Sequence, residues 1–285
     1  MEPRELVEDL VGIMLDEGKK AYPPGTQRTW GDSTYEKQKN GKWKRVGAGG
    51  KASSKPKAPK KADTEKTSKT VKLALEKDPK LSLPEPPSLD EHVAIALDMV
   101  AKHQKTRDEK LAALKSMAPP NASVKGRVKD PESAVLKVAR KPKYGTAKKL
   151  QDFTGTRVIV NTVDEVKDTV KKIKEKYEIV EEDDYVDTPR DGYRSHHLIA
   201  KDDQGLEFEI QIRTKNQNTW ADWAHDVYKP VDAAQEDALE QYSDDINDYR
   251  LKMSAFYYNL DNPKVKGVPR PKCPPVVANT FGCMA

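Results

Sequence analysis

Four short stretches between residues 126 and 214 carry the side chains best suited to chemistry. In the first, Arg127 and Lys129 alternate along a predicted strand, so both side chains project to one side. Ser133 and Lys137 follow on a predicted helix, four residues apart and on one face. Cations and a hydroxyl beside a helix N-terminus suit a polyphosphate. A solvated basic corner between a strand and a helix has the same pattern.

Two carboxylates occupy positions suited to a metal ion or to a proton acceptor. Asp152 precedes a predicted buried strand, which suits either a metal ligand at the edge of a sheet or a turn residue before Gly155. On a later strand, apolar residues alternate with the polar residues Glu207, Glu209, Gln211 and Arg213. A glutamate beside glutamine and arginine suits a metal ion or a hydroxyl to be deprotonated. An ordinary strand with one face in solvent gives the same alternation.

The remaining stretch combines an aromatic residue with small polar neighbours. Tyr193, Ser195 and His197 share one face of a predicted strand over 193–201. Such a face can stack on a nucleotide base and hydrogen-bond to its edge. His196 points to the opposite face, so it and His197 cannot both bind one metal ion, and ordinary surface polarity is the simpler interpretation of His196.

A folded domain must hold these residues, and its elements are predicted from Ser88 onward. Ser88 and Glu91 form a capping box for a helix that ends near Met117. The other predicted helices cover 131–140, 164–177, 216–228 and 233–260. The predicted strands cover 123–128, 156–161, 178–186, 193–201 and 206–214. Strands mixed with helices of crossover length predict an α/β (α+β) domain with a mixed β-sheet flanked by helices.

The N-terminal third has a different composition. We predict a helix over 5–18 and a β-hairpin around Asn40-Gly41, followed by a disordered basic linker rich in Lys, Ala and Pro. A helical stretch around 71–76 is the most order expected in that linker. The predicted division of the chain is 1–48 for the helix and hairpin, 49–83 for the flexible linker, 84–262 for the domain and 263–285 for a Pro-rich irregular tail.

Charge and composition exclude several classes of protein. The 285 residues carry a net charge of +5, yet residues 37–61 contain ten basic and no acidic side chains. Subtracting this local +10 from the total leaves a net charge of −5 on the rest of the chain. The absence of a long apolar run excludes a transmembrane helix, and the acidic N-terminus argues against a signal peptide, so we expect a cytoplasmic protein. Two cysteines are too few for a disulfide framework or a four-cysteine zinc site.

Taken in order, the four stretches resemble the synthetase domain of the RelA/SpoT family, the alarmone synthetases. The strings that carry the resemblance are Arg127-x-Lys129-x3-Ser133-x3-Lys137, Asp152-x4-Arg157, Gly192-Tyr193-x-Ser195-x-His197 and Glu209-Ile-Gln-Ile-Arg-Thr214. The similarity covers about residues 85–260. It implies a nucleotidyltransferase-like fold and transfer of the β,γ-pyrophosphate of ATP to the 3′-hydroxyl of GDP or GTP.

The resemblance also implies roles for individual residues. For ATP, the implied residues are Arg127 and Arg157 around the adenine and Lys129, Ser133 and Lys137 at the phosphates. The implied ligands of Mg²⁺, which Mn²⁺ could replace, are Asp152 and Glu209. Glu209 would also help to deprotonate the attacking hydroxyl. Tyr193 would stack on the acceptor base, and the residues implied to support the acceptor or its phosphates are Asp191, His197, Gln211 and Arg213.

One departure from the family leaves the acceptor open. Asp191 stands where the family has Asn, and a carboxylate only accepts hydrogen bonds where an amide also donates them. The alternative function is that of a growth-inhibiting toxin that pyrophosphorylates the 3′ end of tRNA or adenosine nucleotides. That alternative adds two partners, tRNA held by the basic arm 37–61 and an antitoxin or immunity protein. The simpler interpretation of the arm is a solvated linker.

Two further expectations follow from the same comparison. The chain lacks the His…His-Asp…Asp pattern of the hydrolase domain found in long members of the family. We therefore expect a synthetase without a hydrolase. The segment from Gly25 to Val46 resembles short stretches of phage-encoded proteins, which favours the toxin context. The oligomeric state is not predicted.

Overall fold

The computed structural model describes residues 27–30, 33–37, 43–48 and 61–284. The predicted helix over 5–18, the predicted turn at Asn40-Gly41 and the parts of the basic arm at 38–42 and 49–60 lie outside the described residues. Among the helices that are described, none combines the length and the apolar character needed to cross a membrane.

A small antiparallel sheet forms near the N-terminus. Its strands are β1 (Gln27–Trp30), β2 (Ser33–Lys37) and β3 (Trp43–Ala48), in the order β1-β2-β3. The pairing of β2 with β3 confirms the predicted hairpin, with a shift of register between Thr34 and Tyr35. The first strand was not predicted.

The main sheet has five strands and confirms the predicted mixed β-sheet. Its strands are β4 (Ser123–Val128), β5 (Thr154–Val160), β6 (Glu178–Asp184), β7 (His196–Lys201) and β8 (Glu207–Thr214). They lie in the order β4-β5-β8-β7-β6, and β5 and β8 form the one parallel pair of this sheet. Parallel pairing of β5 with β8 brings two of the predicted site strands side by side at the centre of the sheet.

Eight α-helices are found in the described residues. They are α1 (Lys61–Lys77), α2 (Leu89–Met117), α3 (Pro131–Arg140), α4 (Val163–Lys176), α5 (Lys215–Val227), α6 (Ala233–Gln241), α7 (Ser243–Asp261) and α8 (Pro275–Thr280). Capping boxes begin α2, α4 and α5, at Ser88, Thr162 and Thr214. A capping box satisfies N–H groups that the first turn of a helix leaves without partners, which explains where these helices start.

The two faces of the sheet are covered differently. One face carries apolar side chains of β5, β7 and β8, such as Val158, Leu198 and Ile210, which form a core with α2 and α4. The opposite face carries the polar residues of the same strands. A second core packs Tyr193 and Trp220 against α7, and a third packs α1, α2 and α3 together. The polar face is therefore the face on which a functional site can form.

Two predicted irregular segments contain ordered structure. The linker prediction is wrong for 61–77, which form α1, because Val71 is fully buried in the third core. The tail prediction is wrong for 275–280, which form α8, because Val277 is buried against α5 and α7. A disulfide between Cys273 and Cys283 closes this tail on itself.

Two elements differ from the prediction by more than small shifts at their ends. The strand predicted from residue 193 begins at His196, because Asp191 and Gly192 have positive φ angles and turn the chain before it. The helix predicted over 233–260 is broken at Tyr242, whose φ of −123° and ψ of 28° lie outside the helical region.

Candidate functional site

The register of three strands gathers predicted site residues on the polar face of the sheet. Arg127 on β4 lies opposite Gly155 on β5, and Gly155 pairs in turn with Glu209 on β8. Two residues further along, Arg157 pairs with Gln211. Arg127 and Arg157 are therefore diagonal neighbours, about 7–8 Å apart. A planar base can stack between two guanidinium groups in such a position.

Gly155 keeps the space in front of Glu209 open. A Cβ added at Gly155 would meet the Oε2 atom of Glu209 at 3.8 Å. Larger side chains would therefore fill the space directly beside this carboxylate. The absence of a side chain here is a feature of the site that the sequence alone did not reveal.

Asp152 joins the two lysines that were predicted to bind phosphates. Its Oδ2 atom lies 2.8 Å from Nζ of Lys129 and 2.7 Å from Nζ of Lys137. Burial alone would raise the pKa of Asp152, but the two ammonium groups outweigh it and lower the pKa to about 2. The other oxygen, Oδ1, is buried without a hydrogen-bond partner. A buried anionic oxygen without a partner can bind a cation or accept a hydrogen bond from a water molecule.

Ser133 lies at the start of α3, but its hydroxyl already has an acceptor. The carboxylate of Asp130 caps this helix: it accepts a hydrogen bond from the Ser133 backbone N–H at 2.8 Å and one from the Ser133 hydroxyl at 3.0 Å. A phosphate at this end of α3 would compete with Asp130 for both donors.

Glu209 is held by two neighbours on the polar face. The Gln211 amide donates to its Oε2 atom at 3.2 Å, and Nδ1 of His197 lies 3.5 Å from its Oε1 atom. The other ring nitrogen of His197 hydrogen-bonds to the hydroxyl of Tyr193 at 2.8 Å. Burial alone would lower the pKa of His197, but the charges and hydrogen bonds of Tyr193 and Glu209 outweigh it and raise that pKa to about 9. His197 is therefore held between Tyr193 and Glu209.

Tyr193 is placed differently from the prediction. Its side chain is 1% exposed, and its ring packs among Tyr185, Trp220 and His197. Stacking on an acceptor base would need one face of this ring to open. Tyr185 is half-buried beside both Tyr193 and His197. Sequence reasoning missed Tyr185, because it follows the end of β6 and belongs to no recognised motif.

Asp191 is also placed differently from the prediction of an acceptor-binding residue. Its carboxylate accepts a hydrogen bond from Nη2 of Arg250 at 2.8 Å, and its backbone carbonyl accepts one from Nη1 of the same side chain at 3.0 Å. Arg250 lies on α7, 59 residues away in the sequence. No local pattern indicates this pair.

Arg157 and Arg213 complete the set of predicted cations. The guanidinium of Arg157 faces α5, with Nη1 at 3.4 Å from Asn218 Oδ1 and 3.8 Å from Asp222 Oδ1. Arg213 is fully buried, and its positive charge acts on Tyr193. Burial alone would raise the pKa of Tyr193, but His197 and Arg213 together lower it.

The carboxylates present fit a magnesium ion that also contacts a substrate. Within residues 61–284, no three His, Cys, Asp or Glu side chains gather into a metal-binding group. Mg²⁺ is commonly bound by one or two carboxylates together with substrate phosphates. Asp152, with its free oxygen, stands three residues before Gly155, the strand partner of Glu209. Asp152 and Glu209 are the residues that could hold the ion.

Comparison with known proteins places the same region in one family. Residues 126–232 match the family model described as "Region found in RelA / SpoT proteins". No curated protein sequence matches the chain significantly.

Solved structures of related proteins share limited identity with the chain. The small alarmone synthetase 1 from Bacillus subtilis bound to its product pppGpp is 24% identical, over 56% of this chain and 89% of that one, with a TM-score of 0.42. A GTP pyrophosphokinase family protein from Streptococcus pneumoniae is 29% identical, over 61% and 87%, with a TM-score of 0.40. The complex between the Type VI effector Tas1 and its immunity protein contains a chain that is 15% identical, over 57% and 92%, with a TM-score of 0.36.

The matched region contains every residue that the four stretches were predicted to contribute, from Arg127 to Arg213. The mixed five-stranded sheet brings five of these residues to one face, namely Arg127, Arg157, His197, Glu209 and Gln211. Residues 126–232 of the chain therefore form the region that is found in RelA/SpoT proteins.

Proposed function

We propose that this domain transfers the β,γ-pyrophosphate of ATP to the 3′-hydroxyl of a guanosine nucleotide, GDP or GTP. The observation that carries the proposal is the placement of Arg127, Gly155 and Glu209 side by side across three strands, next to the cluster of Asp152 with Lys129 and Lys137. Base stacking, phosphate binding and metal binding would each use one of these groups.

The donor nucleotide would bind along β4 and α3. Arg127 and Arg157 would stack on the adenine. Lys129 and Lys137 would exchange their shared partner Asp152 for the phosphates of ATP, and the N-terminus of α3 at Ser133 would add its dipole. Charged donors held in place stabilise the negative charge that spreads over the phosphoryl oxygens during transfer.

Mg²⁺, or Mn²⁺ in its place, would be held by Asp152 and Glu209. The ion would neutralise charge on the phosphates of ATP. Freed from the two lysines by ATP, Asp152 would have both oxygens available as ligands. This exchange would give a function to a carboxylate that lies between two cations proposed to bind phosphate.

The acceptor hydroxyl would be deprotonated at Glu209. The 3′-oxygen attacks the β-phosphorus of ATP, the bond from that phosphorus to the oxygen bridging it to the α-phosphorus breaks, and AMP leaves. The proton of the hydroxyl goes to Glu209, which Gln211 and His197 hold in position. Catalysis of this kind depends on placement and charge, and no covalent intermediate on the protein is needed.

The experiment that tests this function is a screen of acceptors with ATP labelled in its γ-phosphate. The purified protein is incubated with Mg²⁺ and, separately, with GDP, GTP, AMP, ADP, ATP or tRNA. We expect label on GDP or GTP. Label on tRNA or on adenosine nucleotides instead would support the toxin alternative, and label on none of them by folded protein would refute pyrophosphate transfer.

A further inference from the structure

The loop before β7 adopts a conformation that most residues avoid. Asp191 has a φ of 50° and Gly192 a φ of 79°. Positive φ is uncommon for residues other than glycine, although Asp and Asn tolerate it better than most. A Cβ at Gly192 would meet Trp220 at 2.9 Å. The loop is therefore both strained and closely packed, and something must hold it.

Arg250 holds the first of these residues from two sides. One nitrogen of its guanidinium donates to the backbone carbonyl of Asp191 at 3.0 Å, and the other donates to the carboxylate at 2.8 Å. The Arg250 side chain is 4% exposed, so water competes little for these bonds. Its guanidinium also donates to Asn247 at 3.2 Å and lies over the rings of Trp220 and Tyr228. A rigid fork of donors on a fixed helix is well suited to fixing a backbone conformation.

Ser254 holds the next residue, one turn further along α7. Its hydroxyl donates to the Gly192 carbonyl at 2.5 Å and accepts a hydrogen bond from Nε of Arg194 at 3.2 Å. Arg250 and Ser254 are four residues apart, so they share one face of the helix. This face of α7 thus contacts the loop at three of the four positions from Asp191 to Arg194.

The loop leads directly to the candidate site. Tyr193 lies within it, and the Tyr193 hydroxyl reaches His197, which in turn reaches Glu209. A change in the backbone at Asp191 or Gly192 would therefore displace the Tyr193 ring first, and then the two residues that depend on it.

We infer that Arg250 is a positioning residue for the acceptor: with Ser254 it fixes the backbone of the loop from Arg190 to Ser195, which carries Tyr193. Asp191 then serves Arg250 and does not bind the acceptor itself. This inference rests on the proposed function, since it assigns the loop to the acceptor and leaves ATP to β4 and α3.

Steady-state kinetics of single variants test the inference. Arg250→Gln should lower kcat/KM for the acceptor about tenfold or more, because two hydrogen bonds donated by a charged group to the loop are lost, and should leave KM for ATP within about twofold. Asp191→Ala should do the same. Asp191→Asn should lose less than Asp191→Ala, because its amide oxygen can still accept from Nη2 and Asn tolerates positive φ.

A matched control and a milder variant separate positioning from loss of folding. Lys252→Gln removes a positive charge from the exposed face of the same helix, where Lys252 pairs with Asp248, and should change neither constant. Ser254→Ala removes both hydrogen bonds of that hydroxyl, to Gly192 and from Arg194, and should lower kcat/KM for the acceptor alone. If every loop variant impaired the kinetic constants for the acceptor and for ATP equally, the inference would be overturned, because such a result indicates a general effect on stability.

Hydrogen exchange provides a readout that does not need activity. The amide of Tyr193 donates to the Arg190 carbonyl at 2.9 Å inside the loop. Arg250→Gln should speed exchange at Tyr193 about tenfold or more while leaving the amides of β8 unchanged. Unchanged exchange at Tyr193 would overturn the inference whatever the activity. A parent that labels no acceptor would instead refute the proposed function and the acceptor role with it, and the exchange rates would still decide whether Arg250 holds the loop.

Discussion

The hydroxyl of Tyr193 lies 2.8 Å from Nε2 of His197, inside the protein and away from solvent. His197 in turn lies beside Glu209. The hydroxyl of Tyr193 thus holds the imidazole that lies beside the proposed base.

Removal of that hydroxyl should impair turnover. Tyr193→Phe keeps the ring but leaves His197 without one of its two partners, so we expect kcat to fall about tenfold. Tyr258→Phe is the matched control, because the Tyr258 hydroxyl bonds to Asp187 at 2.7 Å on the exposed side of the domain. Kinetics with labelled ATP measure both variants. Full activity of Tyr193→Phe would mean that the ring alone matters.

Neutralising the proposed base should abolish the reaction without unfolding the domain. Glu209→Gln should lower kcat about 100-fold or more, since a positioned proton acceptor contributes at least that factor. Its effect on the melting temperature should be small, because the side chain lies on the polar face. Glu207→Gln, two residues earlier on the same face of β8, is the control and should keep its activity. An active Glu209→Gln variant would refute the assignment of the base.

Mild acid should destabilise the domain through His103. This side chain is buried, with Nδ1 at 3.0 Å from the Thr154 hydroxyl, and burial together with nearby Lys110 lowers its pKa to about 4, against smaller opposing effects of Asp202 and Asp152. A histidine with a lowered pKa binds its proton more readily in the unfolded chain. Stability is therefore lost as the pH falls from about 6.5 toward 4, by about 2 kcal/mol between pH 7 and pH 4.5.

Urea unfolding at the two pH values measures this loss. The variant His103→Gln cannot take up the proton, so the difference in free energy of unfolding between pH 7 and pH 4.5 should shrink by about 2 kcal/mol. Asp152, whose lowered pKa lies near 2, does not titrate in this range. An equal pH dependence in parent and variant would contradict the assignment to His103.

Opening the disulfide should loosen the C-terminal tail. Cys273 and Cys283 close a loop of about ten residues, a constraint that contributes about 2–3 kcal/mol. The tail packs on the second core, where the Met284 amide donates to the Tyr249 hydroxyl at 3.2 Å and Trp223 donates to the Gly282 carbonyl at 2.8 Å. The double variant Cys273→Ser/Cys283→Ser should therefore melt at a lower temperature than the oxidised parent. Calorimetry that shows equal melting temperatures would contradict a stabilising bond.

Local patterns were sufficient to predict much of the fold. The capping box of Ser88 with Glu91, the proline at the start of α3 and the alternation along β8 each act over a few residues, and each predicted element is present. The same alternation correctly assigned Glu209 and Gln211 to the face opposite the apolar residues of β8. Contacts between distant residues had no such signal. The packing of Val71 that orders α1, the burial of Tyr193 and the pairing of Asp191 with Arg250 all depend on the tertiary structure.

Lysine-rich composition also concealed one element. Residues 61–77 have the charge and polarity of a linker, yet one buried valine and a half-buried leucine at Leu75 are enough to dock α1 on the third core. Helical propensity of Lys, Ala and Glu then extends the helix well beyond these contacts. A pattern of two apolar residues is too weak to separate such a helix from an unstructured arm.

The ratio of nucleotide products tests most directly whether the domain transfers pyrophosphate from ATP. With ATP, GDP and Mg²⁺, the purified protein should form one AMP for each molecule of GDP that gains two phosphates, with both transferred phosphates on the 3′-oxygen, and Glu209→Gln should form neither product. ADP with inorganic phosphate and no AMP, from a folded protein, would show hydrolysis of ATP and would contradict pyrophosphate transfer at this site.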